Sequence, residues 1–303
     1  RASRYASVNQ SSTGSPIPDD KRFWYISNNF GDPQSQRSSS YQSEKATASG
    51  LLRMLYNYDG KYFLNASFRR DGSSQISPSQ RSQNFWALGG AWEISRESFM
   101  NNQNIFDFAK IKASIGVLGN QTTYGGDYPF YPELRGGSAA VFGNNIYVAV
   151  QPTYLPDRDL KWETVHAKEF GFEIGAFSNR LTFEAAYFDK VTKNLMTLVP
   201  GNSGTQARLT NSGSIKNTGI ELSATWNQSV AKDLTVSISG NLTTYNNKVL
   251  ELAPGFPGFD GYARTIVGAP IGSFWGYIVE GIYQSYADKL KSPVNTEFSY
   301  GPG

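Results

Sequence analysis

Residues 61–74 read K-Y-F-L-N-A-S-F-R-R-D-G-S-S. Taken alternately, Tyr62, Leu64, Ala66 and Phe68 fall on one face, and Phe63, Asn65, Ser67 and Arg69 on the other. Alternation at this period marks a strand, because successive side chains of extended backbone point to opposite sides. The first face needs an apolar surrounding. A protein core and a lipid bilayer would both supply one, and they imply different functions.

The same texture recurs in eight segments, near 46–58, 61–70, 83–95, 106–117, 164–177, 181–193, 216–228 and 233–246. Most run to about 10 residues or more, whereas strands of soluble sheets average ~5–6. Strands tilted across a bilayer need ~9–11. The connections alternate too. Asp59-Gly60, a pair suited to the positive φ angles of a tight hairpin, joins the first two segments, and Ser178-Asn179-Arg180 and Val230-Ala231-Lys232-Asp233 are equally short. Between them stand D-G-S-S-Q-I-S-P-S-Q-R (71–81), a Gly/Pro/Tyr-rich stretch at 118–163, and P-G-N-S-G-T from 200. Short turns on one rim and long loops on the other are the plan of an outer-membrane barrel. The link at 95–106 is of middling length and fits that plan less neatly.

Written out strand by strand, the apolar face carries Met54, Tyr56 and Tyr58; Tyr62 to Phe68; Trp86, Leu88, Gly90, Trp92 and Ile94; and Ala109, Ile111, Ala113, Ile115 and Val117. It continues with Phe170, Phe172, Ile174 and Ala176; Leu181, Phe183, Ala185 and Tyr187; Ile220, Leu222, Ala224 and Trp226; and Leu234, Val236, Ile238, Gly240 and Leu242. None of these is charged. The opposite face holds Arg53, Arg69, Glu93, Lys110, Lys112, Glu169, Glu173, Glu184 and Glu221 among Ser, Thr, Asn and Gly. A Lys or Arg facing lipid near the midplane costs ~2–4 kcal/mol, which accounts for such segregation. Aromatics near strand ends (Tyr56, Tyr58, Trp92, Tyr187, Trp226, Tyr245) suit the girdles at the two water–lipid boundaries. A soluble β-sandwich also alternates and is the rival reading. Strand length and aromatic placement favour an all-β, antiparallel transmembrane barrel.

Composition narrows the rest. Among 303 residues the hydrophobic fraction is 39% and the mean hydropathy is −0.43, so no window supplies the ~20 apolar residues of a spanning helix. That leaves a barrel open, since alternation dilutes its apolar residues. A net charge of +3 with scattered Lys and Arg excludes a nucleic-acid tract. With no Cys there is neither disulfide framework nor thiolate metal site. His166 is the single histidine and lies in an alternating strand, leaving little for a triad or a His-based metal site. Asp157 and Asp159 in L-P-D-R-D-L-K-W-E read as a turn before a strand rather than paired catalytic carboxylates. No Gly-rich phosphate loop occurs. No cofactor and no enzyme activity are therefore expected. The opening R-A-S-R-Y-A-S lacks an initiator Met and an apolar leader, which for an exported protein implies a removed start.

Residues 1–45, rich in Ser, Gln, Asn and Pro, read as a long polar extracellular loop. Residues 46–246 hold the eight strands, and 247–303 form a further extracellular segment, truncated at S-Y-G-P-G.

Seven runs, in order along the chain, resemble the SusC/RagA family of TonB-dependent outer-membrane transporters of Bacteroidetes-type bacteria. They are L-R-M-L-Y-N-Y-D-G-K-Y-F-L-N-A-S-F-R-R-D-G-S-S (52–74), W-A-L-G-G-A-W-E-I-S-R-E-S-F-M (86–100), F-A-K-I-K-A-S-I-G-V-L-G-N-Q (108–121), D-L-K-W-E-T (159–164), N-R-L-T-F-E-A-A-Y-F-D-K-V-T-K-N-L (179–195), N-T-G-I-E-L-S (217–223) and G-A-P-I-G-S-F-W-G-Y-I-V-E-G-I-Y-Q-S (268–285). The resemblance implies a barrel of about 22 strands filled by an N-terminal plug, of which eight strands are one part of the wall. It also implies a SusD-like surface lipoprotein as lid, a glycan or peptide as cargo, and uptake powered by the TonB–ExbB–ExbD complex through a segment outside this chain. In such a transporter Arg53, Arg69, Lys110, Lys112, Glu173, Glu184 and Glu221 would face the lumen. The outer-loop aromatics Tyr124, Tyr128, Tyr131, Trp162, Phe274 and Trp275 are candidate contacts for ligand or lid, the alternative being that they pack loop against loop or form the outer girdle. Two rivals from other classes are a complete eight-stranded anchor or adhesion barrel and a soluble hydrolase or binding sandwich.

Overall fold

A computed structural model describes residues 2–13, 37–120, 128–132, 134–143, 145–201, 206–256, 258–278, 281–282 and 284–287. The large sheet is a nine-stranded antiparallel meander. Its strands are β1 (Ala2–Thr13), β2 (Arg37–Tyr58), β3 (Tyr62–Ser73), β4 (Ser82–Glu93), β5 (Phe106–Asn120), β8 (Glu163–Ala176), β9 (Leu181–Lys193), β12 (Ser214–Ala231) and β13 (Leu234–Glu251), hydrogen-bonded in that order. The intervening strands leave the sheet in pairs: β6 (Leu134–Phe142) with β7 (Asn145–Pro152), and β10 (Met196–Val199) with β11 (Arg208–Asn211). Three two-residue strands, β14 (Phe259–Asp260), β15 (Ala263–Arg264) and β16 (Ser273–Phe274), form a small sheet after β13.

The eight expected strands are all present. The polar start is a different matter. Residues expected to form one long loop instead pair Ala2–Thr13 with Arg37–Ala48 as an antiparallel hairpin arm, while 14–36 lie outside the described residues. The stretch at 118–163 likewise contains the β6–β7 hairpin rather than loop alone. The first pairing escapes a reading of the sequence because its Ser- and Gln-rich strands carry no apolar alternation, the second because its short runs N-I-Y-V-A-V and A-A-V-F sit inside a Gly- and Pro-rich stretch.

Turn chemistry sets the rims. Asp59 and Gly60 have φ of 55° and 62°, the centre of a mirror-image turn closed by the Lys61 N–H donating to the Tyr58 carbonyl at 3.0 Å, in a three-residue link between the paired Tyr58 and Tyr62. Lys232 and Asp233 join β12 to β13 on the same rim. The middling link from β4 to β5 is two short 3₁₀ turns, Ile94–Arg96 and Ser98–Met100. Between them Glu97 accepts hydrogen bonds from the Tyr62 hydroxyl (2.7 Å) and the Trp92 indole (3.1 Å), with the Lys61 ammonium 3.7 Å away. The Tyr62 and Trp92 rings stack at 6.5 Å. Aromatic bodies on the apolar face are thus tied to a carboxylate at the water side, the arrangement an interfacial girdle needs.

The register joins the apolar residues of neighbouring strands into one continuous face. A single row runs Tyr62, Trp92, Ile111, Phe172, Ala185, Leu222 and Leu242. At Tyr62 it starts on the short-turn rim. At Leu242 it has reached the last apolar residue before Thr244 and Asn246, toward the long-loop rim. Six steps of ~4.8 Å are ~29 Å along the row, and at barrel tilt (~40°) such a row climbs ~18 Å. A tilted wall therefore follows from the register and the position of the two boundaries.

No protein covers this face among the described residues. Phe170 is 55% exposed, Leu242 58% and Ile238 67%. Among the described residues a buried hydrophobic cluster of Ile76, Phe85, Tyr154, Leu160, Trp162, Met196 and Leu209 lies among the long connections and the adjoining strand ends. A sandwich would bury its apolar sheet face, so this arrangement is not a sandwich. Nor does the sheet close, since β13 is an edge with β12 its one partner. That excludes a complete eight-stranded barrel within the described residues.

Leu64→Arg and Ile238→Arg are each expected to destabilise folding into phospholipid vesicles by ~2–4 kcal/mol in urea titrations, while Ser67→Arg and Ser237→Arg on the other face change it little. The Tyr62 and Trp92 hydrogen bonds, ahead of the Lys61 charge, hold the Glu97 carboxyl below its ordinary 4.5. Its lowered value means the stabilisation is present above 4.5 and is lost as pH falls through the still lower folded value. Amide exchange over 93–105 should therefore accelerate below pH 4.5, and Glu97→Gln should abolish that acid step.

Candidate functional site

The second sheet face is polar, and two of its lysines organise it. Lys110 on β5 lies between Glu93 of β4 and Glu173 of β8 in register. Its Nζ is 3.7 Å from Glu93 Oε2 and 5.2 Å from the centre of the Phe63 ring. Two residues on, Lys112 forms an ion pair with Glu184 of β9, across the whole width of β8. The strand between offers no obstacle because Gly171 is the register partner of Lys112. A Cβ there would stand 2.7 Å from the Ala185 carbonyl oxygen and 3.2 Å from the Ala186 Cβ. Glu173 and Glu184 are direct register partners, and like charges so placed repel. Both lysines come from β5, Lys110 as the register neighbour of Glu173 and Lys112 ion-paired with Glu184, and they offset that repulsion.

The other expected lumen charges are distributed around this ladder. Arg53 donates from Nε to Asn65 Oδ1 at 3.2 Å on the neighbouring strand. Arg69 is bound at 2.5 Å to Asp71, whose carboxylate is buried, so it is fixed at the outer end of β3 rather than free in the wall. Glu221 and Glu169, on the same face, are exposed and make no ion pair among the described residues.

The outer-loop aromatics divide into two groups. Trp162 is 2% exposed; its Nε1 donates to the carbonyls of Gln80 (3.1 Å) and Arg81 (3.3 Å), and its ring meets Phe85 edge-on at 5.7 Å. It is therefore a core residue of the loop cluster and not a ligand contact, a correction to its place among the candidates. Its polar edge can be buried because two carbonyls receive the indole N–H. Tyr128 is half-buried and acts as a strap, its hydroxyl bonded to the Glu44 carbonyl and lying 3.2 Å from Ser74 Oγ. Tyr124 lies outside the described residues.

Tyr131, Phe274 and Trp275 remain accessible. Tyr131 is 70% exposed and leans on Phe130 with ring centres 4.6 Å apart. It lines a cavity of about 600 Å³ with Ser77, Pro78, Pro156, Arg158 and Asp159. Arg158 and Asp159 were not candidates, since their stretch reads as a turn. It is one: Asp157 Oδ1 accepts the Asp159 N–H at 3.0 Å, and the turn delivers both residues to the cavity. Phe274 is 98% exposed, and the Arg264 guanidinium lies 4.4 Å from the Trp275 ring centre. Among the described residues no group of His, Cys, Asp or Glu is arranged to hold a metal ion.

This antiparallel meander, with one apolar and one polar face, has counterparts among known proteins. The family model described as TonB dependent receptor-like, beta-barrel matches residues 4–287. The chain belongs to that family. Such proteins are receptors and transporters of the bacterial outer membrane, not an enzyme family. The chain is 30% identical over 267 residues to TonB-dependent receptor P3 of Formosa agariphila, covering 84% of this chain and 26% of that protein. To the TonB-dependent receptor SusC of Bacteroides thetaiotaomicron it is 27% identical, covering 74% of the chain and 23% of the relative. It thus spans about a quarter of the length of these curated relatives. Among solved structures, the RagAB peptide importer in its closed-closed state matches with a TM-score of 0.74 at 24% identity, over 90% of this chain and 30% of that one. That last likeness concerns the fold.

Trp162→Ala should open the loop cluster, costing about 3–5 kcal/mol by loss of a fully buried ring. Limited proteolysis should then cut between 74 and 81 or between 196 and 209, while Tyr131→Ala leaves the digestion pattern unchanged.

Proposed function

We propose that this chain is part of the wall of an outer-membrane importer that takes up an oligomeric nutrient, a glycan or a peptide, with energy from the TonB–ExbB–ExbD complex and a SusD-like surface lipoprotein as lid. The observation that carries the reading is the nine-stranded open sheet with one apolar and one polar face, in a chain matched to the family over 4–287. An edge as long as β13, 18 residues, exposes unpaired peptide groups that hydrocarbon cannot satisfy, so the wall continues into further strands.

On this reading the apolar face lies against lipid and the polar face lines the lumen. Arg53, Lys110, Lys112, Glu173, Glu184 and Glu221 meet water, the plug or passing cargo. Lys110 and Lys112 stand among Glu93, Glu173 and Glu184, so the lumen presents polar partners of both signs without a uniform field that would trap one sign of ligand. The long-loop rim faces the cell exterior, with the accessible Tyr131, Phe274 and Trp275 available to cargo or lid. Residues 1–45 and 247–303 belong to that exterior side. Transport by this route needs no covalent step: ligand is held between lid and plug, and a pull on the plug opens a path along the polar wall.

Deletion of the gene should abolish growth on the oligosaccharide or oligopeptide it imports while sparing growth on the corresponding monomers, and affinity capture of the intact receptor should retrieve a surface lipoprotein. Unchanged growth on every oligomer tested, with no co-purifying lipoprotein, would contradict the importer reading.

A further inference from the structure

Three connections meet on the long-loop rim and enclose the cavity of about 600 Å³ that Tyr131 lines. They are the β3–β4 link at 74–81, the segment 128–132 before β6, and the β7–β8 link at 153–162. Each is tied to another part of the chain. The Ser77 hydroxyl, itself buried, donates to the Arg158 carbonyl. The Tyr154 hydroxyl donates to the Pro129 carbonyl at 2.8 Å. The Asp157 carboxylate accepts from the Thr210 hydroxyl at 2.7 Å and from the Asp159 N–H at 3.0 Å, with Arg208 3.7 Å away. Ile76 and Leu160, next to the lining residues Ser77 and Asp159, are wholly buried. The cavity is thus held by the loop core and formed before any ligand arrives, as small-molecule sites of about 300–1,000 Å³ usually are.

What the lining offers selects a ligand. Its exposed ring is Tyr131, resting on the buried Phe130. The Arg158 guanidinium is exposed and makes no hydrogen bond or ion pair among the described residues, so its N–H groups are free to donate. Asp159 beside it accepts from the Ser79 hydroxyl at 3.2 Å, which leaves lone pairs on the carboxylate for a second donor. One guanidinium and one carboxylate cancel, so the lining favours neither an anion nor a cation. An extended peptide would need main-chain partners. Three of the nine lining residues, Pro78, Pro132 and Pro156, have no N–H, and those of Tyr131 and Asp159 are committed to the Tyr128 carbonyl and the Asp157 carboxylate. A neutral ligand with an apolar face and several hydroxyls fits what remains. A pyranose ring is such a ligand. Its C–H face suits the negative face of an aromatic ring, and its vicinal hydroxyls match a planar donor beside a planar acceptor.

We propose that this cavity is a subsite for an uncharged pyranose unit of an oligosaccharide, stacked on Tyr131 and hydrogen-bonded by Arg158 and Asp159. The proposal rests on the importer reading and deepens it, since that reading leaves glycan and peptide open. The subsite lies in the loops beyond the sheet, so it engages cargo ahead of the polar wall. Being built by this chain's own loops, it holds the sugar in the absence of the lid.

The test titrates the full-length receptor in detergent, without lid lipoprotein, by calorimetry. The probes are neutral hexasaccharides of glucose, mannose, galactose or xylose, a galacturonic acid hexamer and a mixed hexapeptide library. At least one neutral hexasaccharide should bind. Tyr131→Ala and Arg158→Gln should each weaken it on the order of tenfold, while Tyr131→Phe, which keeps the ring, should bind as the wild type does. Binding of no neutral probe, tighter binding of the acidic hexamer or of peptide, or affinity unchanged in both weakened variants would overturn the proposal. The importer reading is judged separately, by whether growth on an oligomer depends on the gene. If that dependence holds while the variants bind normally, the subsite falls and the importer stands; if it is absent, both fall.

Discussion

A strand that crosses hydrocarbon has no water to satisfy its peptide groups, so each must find its partner in the strand beside it. The rest of this architecture depends on that constraint. It enforces a meander in which β2 to β5, β8, β9, β12 and β13 pair with sequence neighbours in the main sheet, and it expels the β6–β7 and β10–β11 excursions to one rim. It then leaves the side chains to settle which face meets which medium. Since side chains alternate with a period of two, a slip of one residue would put Lys110, Lys112 and Glu184 into lipid and Ile111 and Phe183 into water. The energetic penalty for such a slip is what holds the register over so many strands without a buried core beneath the sheet.

Where a core does exist, it is made by loops. Ile76, Leu160, Trp162, Met196 and Leu209 come from three connections and bury one another beyond the sheet. Loops of this length remain ordered only if they bury something, and Trp162 with its two carbonyl partners is the centre of that burial. This gives the accessible Tyr131 cavity a fixed frame. The polar face, in contrast, is held by pairs on the sheet itself, with Gly171 clearing the line from Lys112 to Glu184.

Much of this was legible in the sequence because the bilayer imposes a simple rule. Alternation, segment length and the turn pair Asp59-Gly60 located the eight strands, and the register of the structure joins their apolar residues into one face as read. The rule is silent where a strand lacks a long apolar alternation, which is why the Ser-rich arm of β1 and the short β6–β7 pair in its Gly- and Pro-rich surroundings read as loops. It is equally silent on which loop aromatics are buried. Trp162 and Tyr131 both lie in the long connection between β5 and β8, and only contacts with residues 80 and more positions away separate the core ring from the accessible one.

The central claim is that consecutive residues of these strands face lipid and water in turn. The chain contains no cysteine, so single cysteines can be placed without background. The most direct measurement is labelling of the full-length receptor in native outer membranes with a membrane-impermeant maleimide, one cysteine at a time from 220 to 226 along β12. Fast labelling at 221, 223 and 225 with protection at 222, 224 and 226 is the predicted result. Uniform labelling along the strand, or the opposite alternation, would contradict the account.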